Sequence, residues 1–187
     1  MEPREELLQR VIAYVADTGL ADQSLRALAA GAGTSHRMLL YHFGTREGLV
    51  AQIAAHIESQ QRTALAELAG AADSATDLQR RSWAQVSDPA LAPFVRLFFD
   101  VLGMALAGRP GTEEFRDNLV EPWLDQAEAA AAAVGATQDR AQLRLGMAVA
   151  RGLLIDVLAT GDVEATTAAH ERFIELWNAH ESGDAPR

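Results

Sequence analysis

Apolar residues recur at helical spacing along almost the whole chain. Leu7, Leu8, Val11, Ile12 and Val15 fall at i, i+1, i+4, i+5 and i+8, the stripe of a helix with one buried face. Pro3 suits its first turn and Gly19 its stop. Ser24 predicts the N-cap of a short second helix over residues 25–30, closed by Gly31-Ala32-Gly33. Thr34 or Ser35 caps a third short helix that ends near Phe43, where Gly44 breaks it. Thr45-Arg46-Glu47 opens a long fourth helix with Leu49, Ile53, Ile57, Ala64 and Leu68 along one face. Further helices are expected over residues 74–86, from Asp88-Pro89 to Gly108, and from Thr112 to Val134, where Pro122 predicts a kink or a break. Residues 139–160 form a long apolar helix, and Gly161-Asp162 separates it from a last one carrying His170, Phe173, Ile174 and Trp177. The alanine run at 129–133 reads as good helix, and the terminal ESGDAPR as frayed. No strand alternation, repeat or low-complexity linker is visible, so the expected fold class is all-α.

The first three helices are too short to stand alone. The second and third, however, have the spacing of a helix-turn-helix. Ala29 is small where the third helix crosses the second, Gly33 sits where the turn wants positive φ, and Leu39 points inward six residues on. Leu25 and Leu28 complete the seal, and Phe43 wedges the third helix against the first. In such a motif the N-terminal residues of the second helix meet base edges in the major groove. His36, Arg37 and Met38 occupy those positions. Arginine binds guanine O6 and N7 with two parallel donors; Met38 offers an apolar surface to a thymine methyl or packs inward. Ser24, Thr34 and Ser35 are caps first and phosphate contacts second.

Charge sharpens this picture. The 187 residues carry a net charge of −10, and every basic residue is arginine. Residues 1–50 hold five Arg and six acids, residues 51–187 eleven Arg and twenty acids. Within residues 23–46 there are three Arg, two His and no acid. One short stretch is therefore locally basic in an acidic chain, which is the footprint a nucleic-acid contact needs.

The run from Ser24 to Leu49, SLRALAAGAGTSHRMLLYHFGTREGL, resembles the DNA-binding signature of the TetR family of transcriptional regulators. The resemblance rests on Leu28-Ala29, Gly33, the Leu40-Tyr41-His42-Phe43 block and the Arg46-Glu47-Gly48-Leu49 helix start, and it extends over residues 5–55. It implies a three-helix DNA-binding head over residues 1–47, then a bundle of about six helices over 48–187 for ligand binding and dimerisation. It implies phosphate contacts from Tyr41, His42 and Arg46, and places Arg26 where it reaches the backbone or an edge base. It further implies a homodimer joined through residues 139–180, a palindromic DNA operator and a small-molecule effector. Phe94, Phe98 and Trp123 are the candidate effector contacts. Two positions depart from the family pattern. Gly31 replaces a longer helical residue, which would loosen the end of the second helix. Leu40 replaces a tyrosine that touches DNA.

Other classes find little support. With no cysteine, disulfides, zinc–thiolate sites and thiol catalysis are excluded. No His-Glu-x-x-His, Glu-x-x-His, glycine-rich phosphate loop or triad-like sequence appears, so neither an enzyme nor a cofactor or metal site is expected. The N-terminus lacks an apolar signal core and no uncharged run reaches membrane-spanning length, so a cytoplasmic protein without a membrane partner is expected. The alternative is a helical ligand-binding or protein-interaction module of the same fold that does not bind DNA, a reading the near-neutral N-terminal region leaves open.

Overall fold

A computed structural model describes residues 3–20 and 22–181. Among them every regular element is helical: α1 (Pro3–Thr18), α2 (Leu25–Gly31), α3 (His36–Phe43), α4 (Arg46–Ala71), α5 (Ala75–Val86), a 3-10 turn (Pro89–Leu91), α6 (Ala92–Leu106), α7 (Glu113–Asp117), α8 (Glu121–Ala133), α9 (Arg140–Thr160) and α10 (Val163–Glu181). The fold class is all-α, with a three-helix head followed by a bundle. The terminal ESGDAPR lies outside the described residues apart from its first glutamate.

The helices begin where local chemistry dictates. The side chains of Ser24, Ser35, Ser74 and Asp139 accept hydrogen bonds from the backbone N–H of Ala27, Met38, Asp77 and Ala141. Each such cap contributes about 1 kcal/mol by satisfying a donor that the helix itself leaves open. In return the Asp139 backbone N–H donates to Gln142 Oε1 at 3.2 Å, which completes a capping box. Thr112, directly before α7, makes no cap bond; its hydroxyl donates to the Arg109 carbonyl at 2.6 Å. The helix expected over 112–134 is broken, as Pro122 predicts. The chain stops at Asp117 and restarts at Glu121, with Pro122 in the first turn of α8, where a missing N–H costs nothing.

Two compact units form, the first from residues up to Arg62 together with Pro93–Leu119, the second from Thr63–Ala92 together with residues from Val120 on. They cut across the division at residue 47 expected from the sequence. In the first unit the α1 stripe Leu7, Leu8, Val11, Ile12 and Val15 packs with Leu28, Leu39 and Phe43 of α2 and α3. The same core includes Leu49, Val50 and Ile53 of α4, Leu97, Phe98 and Val101 of α6, and Phe115 of α7. Three short helices bury too little apolar surface to hold themselves. The start of α4, α6 and α7 supply the rest. Residues Pro89–Leu106 have the length and mean hydropathy, 1.5, of a membrane span, yet Arg96 and Asp100 interrupt them, and Leu97, Phe98, Val101, Met104 and Ala105 belong to this core.

In the second unit Trp83 of α5 is buried, donates from Nε1 to Thr167 Oγ1 at 2.9 Å and stacks on His170 of α10, ring centroids 4.9 Å apart. Arg80 grips Glu171 with paired donors at 2.9–3.0 Å, and Arg140 at the start of α9 reaches Glu121, Asp125 and Glu128 of α8. These surface pairs register the helices more than they stabilise them.

Two buried titratable groups pull stability in opposite directions with pH. Glu58 of α4, in the first unit, is 4 % exposed, its Oε2 lies 3.8 Å from Arg62 and its Oε1 has no hydrogen-bond partner. Burial pushes its carboxyl pKa up, Arg62 pulls it back and Glu114 pushes it up again, leaving it raised. The folded chain therefore holds this proton better than the unfolded chain does, so Glu58 favours folding at acid pH and loses that contribution as pH rises. His170 is 6 % exposed and burial lowers its pKa, so its contribution is present above the ordinary histidine range and falls away on acidification. Glu58→Gln is expected to raise the melting temperature at neutral pH, with the gain shrinking as pH falls. Thermal melts across pH check this, and a gain independent of pH would refute it.

Candidate nucleic-acid interface

The helix-turn-helix forms where the spacing places it. Leu28 and Leu39 are both fully buried, and Ala29 lies beneath the crossing. Gly33 turns the chain at φ +64°, a conformation that only glycine adopts at little cost. The Thr34 N–H then donates to the Ala29 carbonyl at 2.9 Å, which ties the turn to α2. Gly31 does not loosen α2. It stays helical, and a Cβ there would sit 2.3 Å from the Tyr14 ring of α1. The missing side chain makes room for a tyrosine at the α1–α2 crossing.

This packing leaves one side of α3 bare. Arg37 is exposed, Met38 and Leu40 are each 41 % exposed, and Tyr41 is 79 % exposed. Positions 37, 40 and 41 share a helix face by i, i+3, i+4 geometry. Tyr41 is thus a surface residue, with its ring edge-on to His42 at 4.9 Å. His36, His42 and Thr34 are half-buried, while Ser24, Arg26 and Ser35 are exposed. Leu40 stands on the bare face as an apolar side chain.

Arg46 has a task the sequence did not disclose. Its half-buried guanidinium donates from Nε to the Gln23 carbonyl at 2.9 Å and from Nη2 to the Leu20 carbonyl at 3.2 Å. Asp100 of α6 holds the same loop from the other side, accepting the Leu20 N–H at 3.0 Å. Leu20 itself is fully buried. The loop entering α2 is therefore braced by a cation on α4 and an anion on α6. Arg4 adds a second tie, donating to Gln52 Oε1 at 2.7 Å and the His42 carbonyl at 3.4 Å, with its guanidinium 5.5 Å from the Phe43 ring centroid. Asp100 carried a sequence signal, a lone acid in an apolar helix; Arg4 carried none.

In the second unit a cavity of about 230 Å³ opens among α4, α5, α8, α9 and α10, with Trp123, Phe173 and Trp177 among its walls. Of the three side chains expected at an effector site, Trp123 lines this cavity. Phe98 is buried in the core of the first unit, and Phe94 of α6 is 46 % exposed. Among the described residues no group of three His, Asp or Glu side chains is placed to hold a metal ion.

No family model and no curated sequence matches the chain. Solved structures do. A transcriptional regulator from Rhodococcus sp. Rha1 superposes with a TM-score of 0.81 over 100% of both chains at 20% identity. A TetR-like transcriptional regulator from Rhodococcus sp. RHA1 gives 0.63 at 20% identity, covering 94% of this chain and 96% of that one. The multidrug binding protein EbrR, complexed with imidazole, gives 0.62 at 24% identity over 91% and 90% of the two chains. The likeness is one of fold, and the fold is that of the TetR-like regulators.

The brace makes a prediction separable from any DNA contact. Arg46→Ala removes two charge-assisted bonds and leaves backbone carbonyls without them, which should lower unfolding free energy by about 1–3 kcal/mol. Arg37→Ala, on the bare face, should change it by no more than about 0.5 kcal/mol. Urea unfolding of the two variants side by side is the measurement; equal stabilities would remove the brace.

Proposed function

We propose that this chain is a DNA-binding transcriptional regulator, a cytoplasmic repressor that holds a palindromic operator as a homodimer and releases it when a small molecule binds. One observation carries the reading: a helix-turn-helix whose second helix presents an arginine-bearing, acid-free side to solvent in a chain that is otherwise strongly acidic. His36, Arg37 and Met38 meet base edges, with Arg37 as the bidentate reader of a guanine. Ser24, Thr34, Ser35, Tyr41 and His42 contact phosphates and fix the register, and Arg26 reaches the backbone beside them. Arg46 contributes to phosphate binding through its charge while it braces the loop. Acid elsewhere repels DNA from other faces and limits non-specific binding. In functional terms residues 1–47 bind DNA, and residues 48–187 take the ligand and the partner.

The surface of α9 supports the dimer. Although it is a long apolar helix, its only buried residue is Leu143. Leu145, Ala148, Gly152, Ile155 and Ala159 are all exposed and recur at alternating spacings of three and four, the seam of a helix that packs on another. Small residues at the middle of such a seam allow close approach. A palindromic operator read by such a dimer would offer its two half-sites one DNA turn, roughly 34–36 Å, or a multiple of it apart. One short basic helix binds weakly; two linked ones raise the effective concentration. Release follows if the ligand prefers the conformation that does not bind DNA.

A second reading, a protein-interaction module without DNA binding, is favoured by one feature: Met38, Leu40 and Tyr41 expose apolar surface on α3. Salt separates the two, because phosphate contacts weaken steeply as salt rises and apolar ones do not.

Selection from random DNA with the purified protein should return a two-fold symmetric site whose affinity falls with salt. Arg37→Ala should relax preference at one base pair by about 1–3 kcal/mol. A protein that binds no DNA, or binds it independently of salt, fails this reading. For the dimer, a Cβ at Gly152 meets nothing within 4 Å in the chain itself. Gly152→Gln should therefore keep the helical circular dichroism while shifting sedimentation from dimer to monomer. A variant that stays dimeric would exclude this seam.

A further inference from the structure

The cavity of the second unit has a chemistry that specifies its occupant more narrowly than a small-molecule effector. We infer that it binds an uncharged aromatic molecule of one or two rings bearing a single neutral polar group, such as a phenol, a ketone or a ring N–H. The designation of this molecule as an effector rests on the proposed regulatory function; the binding does not.

Size sets the first limit. A cavity of about 150 Å³ lined by apolar side chains holds one benzene. The cavity here, about 230 Å³, scales to roughly nine non-hydrogen atoms at the same filling. Its walls set the second. Phe173 and Trp177 of α10 meet edge to face at 5.2 Å, and Trp123 of α8 adds a third aromatic surface. Aromatic ligands gain edge and offset-stacked contacts on such walls beyond plain area burial. Leu124, Leu143 and Met147 complete an apolar lining.

Charge sets the third limit. No Asp, Glu, Arg or His is among the lining residues. An ion placed there would lose its hydration and find no counter-ion, which disfavours carboxylates and ammonium compounds alike. The polar lining groups are neutral: Gln79 and Ser82, one turn apart on α5, and Gln138 ahead of α9. Amide and hydroxyl groups donate as well as accept, so they match a hydroxyl, a carbonyl or a ring N–H equally.

The space itself has a sequence origin. Ala127, Ala130 and Ala131 of α8 and Gly146 and Ala150 of α9 are all among its walls. The alanine run of α8 is therefore more than good helix. Its buried members, Ala130 and Ala131 at 6 % and 4 % exposure, leave room where a leucine would fill it. Large aromatic walls with small residues between them are the pattern of a binding cavity, whereas a core packed to native density alternates large and small to close the gap.

The test is equilibrium titration of the purified full chain with 2-naphthol, indole and benzoate, the anion being no larger than the neutral probes, followed by calorimetry and tryptophan fluorescence. The neutral probes should bind at least tenfold more tightly than benzoate. Ala150→Phe, which fills the cavity, should weaken both neutral probes at least tenfold. Should that variant fail to fold, Ser82→Ala should weaken 2-naphthol by about threefold or more while the protein stays folded. Failure of both neutral probes to bind, or equal affinity for the anion, would overturn the assignment. Operator binding measured in parallel separates the two ideas. Tight 2-naphthol binding without effect on the operator keeps the cavity and removes the effector role; intact operator binding without probe binding does the reverse.

Discussion

The presentation of α3 depends on how the loop entering α2 is held. Helices of seven and eight residues, α2 and α3, have no stability of their own. Leu20 anchors the loop by full burial, but burial alone leaves its N–H and carbonyl without water. Asp100 accepts the first and Arg46 donates to the second. Two charged side chains thus satisfy the N–H and the carbonyl of one buried residue just ahead of α2. Gly31 and Tyr14 then set how closely α2 approaches α1, and the Gly33 turn sets where α3 points. The bare side of α3 is the consequence of these contacts.

That side is chemically mixed. Arg37 offers charge and directional donors, Tyr41 a phenol, Met38 and Leu40 apolar surface. A phosphate-facing surface must exclude acid, and residues 23–46 contain none. A base-reading surface gains from methyl-sized apolar contacts as well as from hydrogen bonds. Leu40, which stands where a tyrosine is usual, fits the second requirement and not the first. In an acidic chain the contrast between this patch and the remaining surface is itself a source of orientation.

The second unit uses small residues in two ways on one helix. On α9, Gly146 and Ala150 face the cavity, whereas Ala148 and Gly152 lie on the exposed seam. The helical repeat puts these pairs on opposite sides. Bulk in the first place would close the cavity; in the proposed dimer, bulk in the second would hold a partner helix away. His170, stacked on Trp83 with its pKa lowered by burial, and the Arg80–Glu171 pair fix α5 to α10 beside the cavity.

The sequence by itself determined the all-α class, the capped helix starts at Ser24, Ser35, Ser74 and Asp139, the helix-turn-helix and the acid-free stretch, and it marked Pro122 as a kink or a break. Those features are written in relations between residues a few positions apart: an N-cap and its third neighbour, a stripe at i and i+4, a glycine at a turn. Tertiary structure decided the rest. That α6 and α7 pack with the head, that Arg46 braces a loop 23 and 26 residues away, and that Asp100 meets Leu20 across 80 positions have no local signature. Arg46 read as a surface cation and Phe98 as a cavity wall because residue type alone does not say which face of a helix is covered. The cavity was least legible of all. It is the space between α4, α5, α8, α9 and α10, and an alanine run reads the same in sequence whether its neighbours close over it or leave a gap.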